Sequence, residues 1–377
     1  MQGRPRNVPF FNYPELFARQ QPEILATLHD VLSRGAFILQ RDLAEFEANL
    51  RAYLPVKHAL GVADGTNALQ LALLAIGCGP GDEVIVPAHT YIASAAAVHF
   101  VGAKPVLCEC GPDHLIDVDS AQALVTKRTK AVMPVQLNGR TADMERVGAF
   151  AADHGLAVIE DAAQALGSRF RGRAAGTFGA AGTFSFYPAK VLGCFGDGGA
   201  VVTNDDAIAE RVALLRDHGR NAAGEVVAWG TNSRLDNLQA AVLNLKLKSF
   251  DADLGRRREI ARLYDAGLRD LAQLRLPPAP ASDRHHHDVF QNYEIEAERR
   301  DQLKLHLERL GVRTIVQFGG KAVHQFAGLG FEGVCLPRTE QLYTRLLLLP
   351  MNTTLSDDDV QYVIEAVRTF YRGADAR

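Results

Sequence analysis

The sequence predicts an α/β protein, with seven strands joined by crossover helices and a smaller α+β region after them. Three observations predict it. Short runs rich in β-branched residues alternate with helix-length amphipathic runs up to about residue 250, as strands and crossover helices do. Beyond that point the alternation gives way to one long charged helix and a proline-rich break. The 377 residues, 47% hydrophobic and 23% charged, supply enough apolar mass for one large core and a satellite, and no linker-like tract divides them.

The expected strands, in order, are "HALGVA" (58–63), "EVIVPA" (83–88), "KPVLCE" (104–109), "KAVMPV" (130–135), "LAVIED" (156–161), "AGTFSF" (181–186) and "GGAVVTN" (198–204). Helices are expected at "TNALQLALLAIG" (66–77), "TADMERVGAFAADHG" (141–155) and "DDAIAERVALLRDHG" (205–219), each with apolar residues on one face. The charged helix "FDADLGRRREIARLYDAGLRDL" and the break "LPPAPAS" (276–282) mark the boundary region. We expect a large domain over 1–250, with an N-terminal arm, and a small domain over 251–377 that includes the linking helix. In the latter, "NYEIEA" and "RTIVQF" read as strands, and "ERRDQLKLHLERLG" and "DDDVQYVIEAVRTFY" as helices.

Composition excludes several functions. The formal net charge is −3 and the pI about 6.5, with basic and acidic residues interleaved, so nucleic acid is not an expected partner. The five cysteines are odd in number and lack paired zinc-type spacing, which points to a reducing cytoplasm without structural disulfides. The first residues carry no signal-peptide pattern, and no uncharged run is long enough to span a bilayer. The run "HHH" (285–287) reads as a polar loop, because adjacent histidines do not easily converge on one ion; no metal is assigned.

In open α/β sheets, ligands sit beyond the carboxyl ends of the strands. Four such ends carry chemistry here. After the first strand, "ADGTNAL" places Gly65 at a tight turn and Thr66 at a helix N-terminus suited to a phosphate; alone it reads as well as a turn and N-cap. "VPAHTYIAS" sets Tyr91 just past the second strand, as packing or as a stacking platform. "AVIEDAAQALGS" brings Glu160 and Asp161 to a buried strand end, with Gln164 one helical turn on; a helix cap by Asp161 is the alternative. "TFSFYPAK" ends a strand with Ser185 and turns through Pro188 to Lys190, ahead of the glycine-rich "GCFGDGGA". A phosphate cradle, an aromatic platform, a buried aspartate and a lysine are together the parts that hold pyridoxal phosphate. The lysine forms an imine with its aldehyde, and the aspartate keeps its ring nitrogen protonated.

The stretches "GVADGTNALQLAL", "VIVPAHTYIASAAAV", "VIEDAAQALGS", "FSFYPAK", "GDGGAVVTND" and "GTNSRLDNLQAAVL" resemble, in this order, the DegT/DnrJ-type sugar aminotransferases, a branch of the aspartate-aminotransferase fold (fold type I). The resemblance implies a mixed, mostly parallel seven-stranded sheet. It also implies Lys190 as the Schiff-base lysine, Asp161 as the pyridinium partner, Gln164 as a ring-side contact and Tyr91 as the stacking ring. Gly65, Thr66 and Ser185 would hold the phosphate, and Asn232 would reach it from a neighbouring subunit, which implies a homodimer.

Related dehydratases carry histidine where Lys190 stands, so lysine implies transamination. The implied donor is L-glutamate, and the implied acceptor is a nucleotide-linked keto-deoxysugar aminated at C3 or C4. Arg220, Arg234 and Lys321 are charge-based candidates for its diphosphate, and His324 for the sugar pocket, where "QFGGK" departs from the family pattern. A keto-cyclitol acceptor and a non-catalytic regulatory role are the alternatives.

Overall fold

A computed structural model describes residues 6–372. Its strands are β1 (His58–Val62), β2 (Glu83–Pro87), β3 (Lys104–Cys108), β4 (Thr129–Val132), β5 (Ala157–Asp161), β6 (Arg169–Phe170), β7 (Arg173–Ala174), β8 (Ala181–Ser185), β9 (Gly199–Thr203), β10 (Leu274–Arg275), β11 (His286–His287), β12 (Tyr293–Ala297) and β13 (Leu346–Leu349). The main sheet has seven strands in the order β1-β9-β8-β5-β4-β2-β3. The pairs β2/β3, β2/β4, β4/β5 and β5/β8 are parallel, while β9 runs antiparallel to both β8 and β1. The sheet is therefore mixed and mostly parallel, as the family resemblance implies.

Its strands read as unbroken apolar runs because both faces are buried. Along β2, Val84 and Val86 join one hydrophobic cluster and Ile85 joins the cluster on the other face. Residues of β9 divide the same way, Val201 to one side and Ala200 and Val202 to the other. Helices Gly65–Ala75 and Ile92–Phe100 supply the first face, and helices Arg41–Tyr53 and Asn237–Leu247 the second.

A separate cluster forms around the antiparallel sheet β10-β12-β13 and helices Arg300–Arg309 and Asp357–Arg372. Helix Phe250–Leu268 joins the two regions. Phe250 and Leu254 pack with the main sheet, whereas Ile260, Tyr264 and Leu268 pack with the second cluster. Val8, near the start, pairs with Val312 and lies in this second core.

Two local expectations are corrected. "RTIVQF" is not a strand: Ile315 makes one isolated bridge to Leu348, and Gln317–Gly320 is a 3-10 turn with Phe318 at φ 53° and Gly319 at φ 71°. Successive left-handed residues cannot continue a ladder. The strand that pairs with β12 is instead β13, the run "LLLL", whose Leu346 packs into the main core and Leu347 and Leu349 into the second. The histidine run is also not simply a loop, since His286–His287 form β11 against β6.

Candidate active site

The parallel strands end at one edge of the sheet, and the expected chemistry collects there. At the end of β1, Asp64 caps helix Gly65–Ala75 by accepting from the Asn67 N–H at 2.8 Å. The N–H groups of Gly65 and Thr66 are left without partners among the described residues. They form a ready donor pair at the positive end of a helix dipole. A Cβ on Gly65 would lie 2.8 Å from the Ser185 Cβ and 3.3 Å from its Oγ, so only glycine lets β8 bring Ser185 against this helix end. Gly199 works likewise, since its Cβ would sit 2.4 Å from the Asp64 carbonyl carbon. The Ser185 Oγ accepts from the Tyr187 N–H at 3.3 Å, which leaves its own hydrogen free to be donated.

The pleat of β5 separates the two acids that the sequence brings together. Glu160 is fully buried and accepts from Gln136 Nε2 and from the Gly176, Phe178 and Gly179 N–H groups at 2.6–3.1 Å. Burial raises its pKa, against those hydrogen bonds. It is an anchor for the 173–179 turn. Asp161 lies on the Lys190 side, with its Oδ2 accepting from Ser94 Oγ at 2.7 Å; Ser94 in turn lies 2.7 Å from Thr90 Oγ1.

Lys190 follows the turn after β8 and is half-buried. Burial lowers its pKa from the ordinary lysine value, and the nearby Asp161 carboxylate offsets part of that shift. The lysine thus holds its amine neutral more readily than an exposed one, next to a carboxylate that can stabilise it when charged. Tyr91, 57% exposed, presents an open ring face and has Phe318 at 5.9 Å on its flank. The Gln164 Oε1 is fixed by the Asn138 N–H at 2.8 Å, and Asn138 Oδ1 accepts from Asn292 and Gln317 at 2.8 and 2.9 Å.

The donor set fits pyridoxal phosphate. A cradle that a Cβ would fill, paired free N–H groups and a hydroxyl suit a phosphate, and a lysine and a buried carboxylate stand beside it. Ser94, Thr90 and Asn138 went unassigned in the sequence. Their only signal was position, Thr90 and Ser94 being four apart around a helix start and Asn138 lying in a left-handed turn.

The remaining candidates are placed differently. Asn232 is exposed and pairs with Asp217 across an isolated bridge. Arg234 is held by Asp217 at 2.7 Å, and His324 by Glu340 at 3.0 Å. Arg220 and Lys321 are exposed and form no ion pair among the described residues.

The DegT/DnrJ/EryC1/StrS aminotransferase family model matches residues 18–368. A dTDP-3-amino-3,4,6-trideoxy-alpha-D-glucose transaminase of Streptomyces venezuelae is 43% identical over 98% of this chain and 97% of its own. A pleiotropic regulatory protein of Geobacillus stearothermophilus is 40% identical over 97% of this chain and 99% of its own. The crystal structure of S. venezuelae DesV in complex with a ketimine intermediate superposes with a TM-score of 0.92 at 42% identity, covering 97% of this chain and 98% of that one.

Proposed function

Because the chain belongs to the DegT/DnrJ/EryC1/StrS aminotransferase family, and is thus a pyridoxal-phosphate-dependent aminotransferase, we propose that it moves an amino group from an amino acid, L-glutamate, to C3 or C4 of a nucleotide-linked keto-deoxysugar. The observation that carries this reading is the placement of Lys190 after β8 and Asp161 at the end of β5, near enough for the carboxylate's charge to act on the amine, beside the Gly65–Ser185 cradle. Gly65, Thr66 and Ser185 would hold the cofactor phosphate, Asp161 its ring nitrogen, and Tyr91 and Gln164 its ring. When bound, the cofactor supplies an electron sink and carries nitrogen between donor and acceptor. Lys190 takes a proton from the donor and returns one to the product, a task suited to an amine with a lowered pKa on a flexible stem. Asp161, held by Ser94, keeps a fixed negative charge opposite it. Arg220 and Lys321, the two of the candidate cations without an ion pair among the described residues, are the groups we assign to the nucleotide diphosphate. The five cysteines are free, four of them buried, which suits work in a reducing cytoplasm, and no described helix is long and apolar enough to cross a membrane.

The name of the Geobacillus relative favours a second reading, a regulatory protein on the same scaffold. One assay series separates the readings. Glutamate should bleach the absorption of the cofactor-loaded protein, and a panel of keto-deoxysugar nucleotides should restore it. Restoration by keto-inositols alone would replace the acceptor class, and no response to any amino donor would leave the regulatory reading.

We further propose that the enzyme is a homodimer with shared sites. Leu25, Leu32, Phe37, Ile38 and Leu39 are exposed apolar residues on the N-terminal segment, and Ile38 pairs with Asp236, four positions from Asn232. The segment before Asn232 exposes Val226, Val227 and Trp229, the last 97% exposed, as an arm that a partner would cover. The rival reading is that Asn232 serves its own site, since the adjacent Ser233 Oγ accepts from the Ala63 N–H at 3.4 Å. Hybrids of Asn232→Asp and Lys190→Ala subunits decide between them. Random re-association makes about half the dimers hybrids, and with trans sharing each hybrid regains one intact site, about a quarter of wild-type activity overall. Confirmed exchange without recovery would reject sharing.

A further inference from the structure

Behind the Tyr91 segment lies a buried polar cluster that the aminotransferase reading does not use. His89, at the end of β2, and His114, in the loop after β3, converge on Glu294 of β12, and one ligand-type atom from each lies within 4.8 Å of the others. His114 Nδ1 is 2.7 Å and His89 Nε2 3.5 Å from Glu294 Oε1. His89 Nε2 and Glu294 Oε2 are buried and have no hydrogen-bond partner among the described residues. Buried polar atoms without partners are uncommon and call for an explanation.

We propose that His89 Nε2, His114 Nδ1 and the Glu294 carboxylate form a binding site for a divalent transition-metal ion of the zinc type, separate from the cofactor pocket. Two nitrogens and a carboxylate are a zinc donor set, and bonds of about 2.0–2.2 Å at tetrahedral angles place donor atoms roughly 3.4 Å apart. The His89–Glu294 separation of 3.5 Å already matches that spacing, the 2.7 Å His114–Glu294 contact would have to widen, and the two imidazole nitrogens lie within 4.8 Å. The surroundings orient the ligands. His89 Nδ1 meets the Tyr343 hydroxyl at 2.9 Å, and His114 Nε2 meets Glu296 Oε1 at 3.2 Å. Each imidazole is thus held by its other nitrogen, as metal-binding histidines are, and the His114–Glu296 contact is a carboxylate–histidine pair. His114 and Glu294 also line a cavity of about 340 Å³ with Arg140, Asn138 and Asn292, which gives an ion an approach and room for a water as fourth ligand. The ion would tie β12 and the loop after β3 to the strand end that carries Thr90 and Tyr91.

Without an ion, His114 bridges Glu294 and Glu296. Burial alone would lower its pKa, but these two hydrogen bonds push it up to about 9. An imidazolium held between two carboxylates is therefore the competing state, and metal titration distinguishes the two.

The cofactor-loaded protein is titrated with Co2+ or Zn2+, freed of loosely bound ion by gel filtration, and assayed for metal content and for the visible absorption of tetrahedral Co2+. We expect about one tightly held equivalent per chain, kept by a His285→Ala/His286→Ala/His287→Ala variant and lost by Glu294→Gln and His89→Gln. Glu296→Gln, which removes the carboxylate that orients His114 along with its ion pairs to Arg275 and Arg345, should weaken binding about 10- to 100-fold. No retained ion in wild type, or loss with the triple-histidine variant, overturns the site, and neither result requires a Glu294 variant to fold. The outcome does not depend on which substrate the enzyme uses.

Discussion

Lys190→Ala should abolish turnover, with a fall of about a thousandfold or more, while the folded protein still binds some cofactor. The reason is local. The truncation removes the one amine that stands beside Asp161 at the strand ends, yet leaves the Gly65–Ser185 cradle, the Thr66 N–H and the Tyr91 ring as they are. Lys190 lies after the turn that closes β8, where its backbone N–H bonds to the Tyr187 carbonyl at 2.8 Å, and alanine keeps that bond. Loss of activity should therefore come without loss of thermal stability. Borohydride reduction of the cofactor-loaded wild type, followed by peptide mapping, should place the label on Lys190. A label on any other lysine would refute the assignment.

Asp161→Asn should slow the half-reaction with glutamate by roughly 100- to 1,000-fold, and by far more than it weakens cofactor binding. Asparagine is close to isosteric, and it still accepts from Ser94, but it removes the nearby negative charge that acts on Lys190. A group fixed in place that loses its charge loses electrostatic stabilisation without losing position. Rapid-mixing absorption measurements give the rate, and equilibrium titration gives the affinity. Equal losses in both would show that Asp161 holds the cofactor without assisting the chemistry. Ser94→Ala provides a graded comparison, since it removes one of the two hydrogen bonds on the carboxylate, leaving that from the Ala163 N–H, and keeps the charge; its effect should be smaller.

The seven strands of the main sheet were legible because each is a short apolar run buried on both faces and bounded by turn residues. Lys190, Asp161, Ser185 and Gly65 were legible for a related reason: topology delivers the ends of parallel strands to one edge, so residues at those ends can be grouped before any coordinates are known. "RTIVQF" was misread as a strand and "LLLL" was not singled out, because neither carries a period. The leucine run faces two cores at once, while the other run is broken by left-handed residues whose conformation depends on their neighbours.

The sequence by itself determined the fold class, the succession of sheet-forming runs along the chain and which residues stand at the strand ends, since these rest on local periodicity and residue type. Tertiary structure alone decided which acid faces the site. Glu160 and Asp161 are adjacent, and only the pairing of β5 and the backbone donors of the 173–179 turn make one an anchor and the other a partner of Lys190. It alone tied His324 to Glu340 and Arg234 to Asp217, leaving Arg220 and Lys321 without an ion pair among the described residues. It also brought His114 against Glu294 from 180 positions away. Contacts over such separations follow from how whole elements pack, and no local pattern in the chain encodes them.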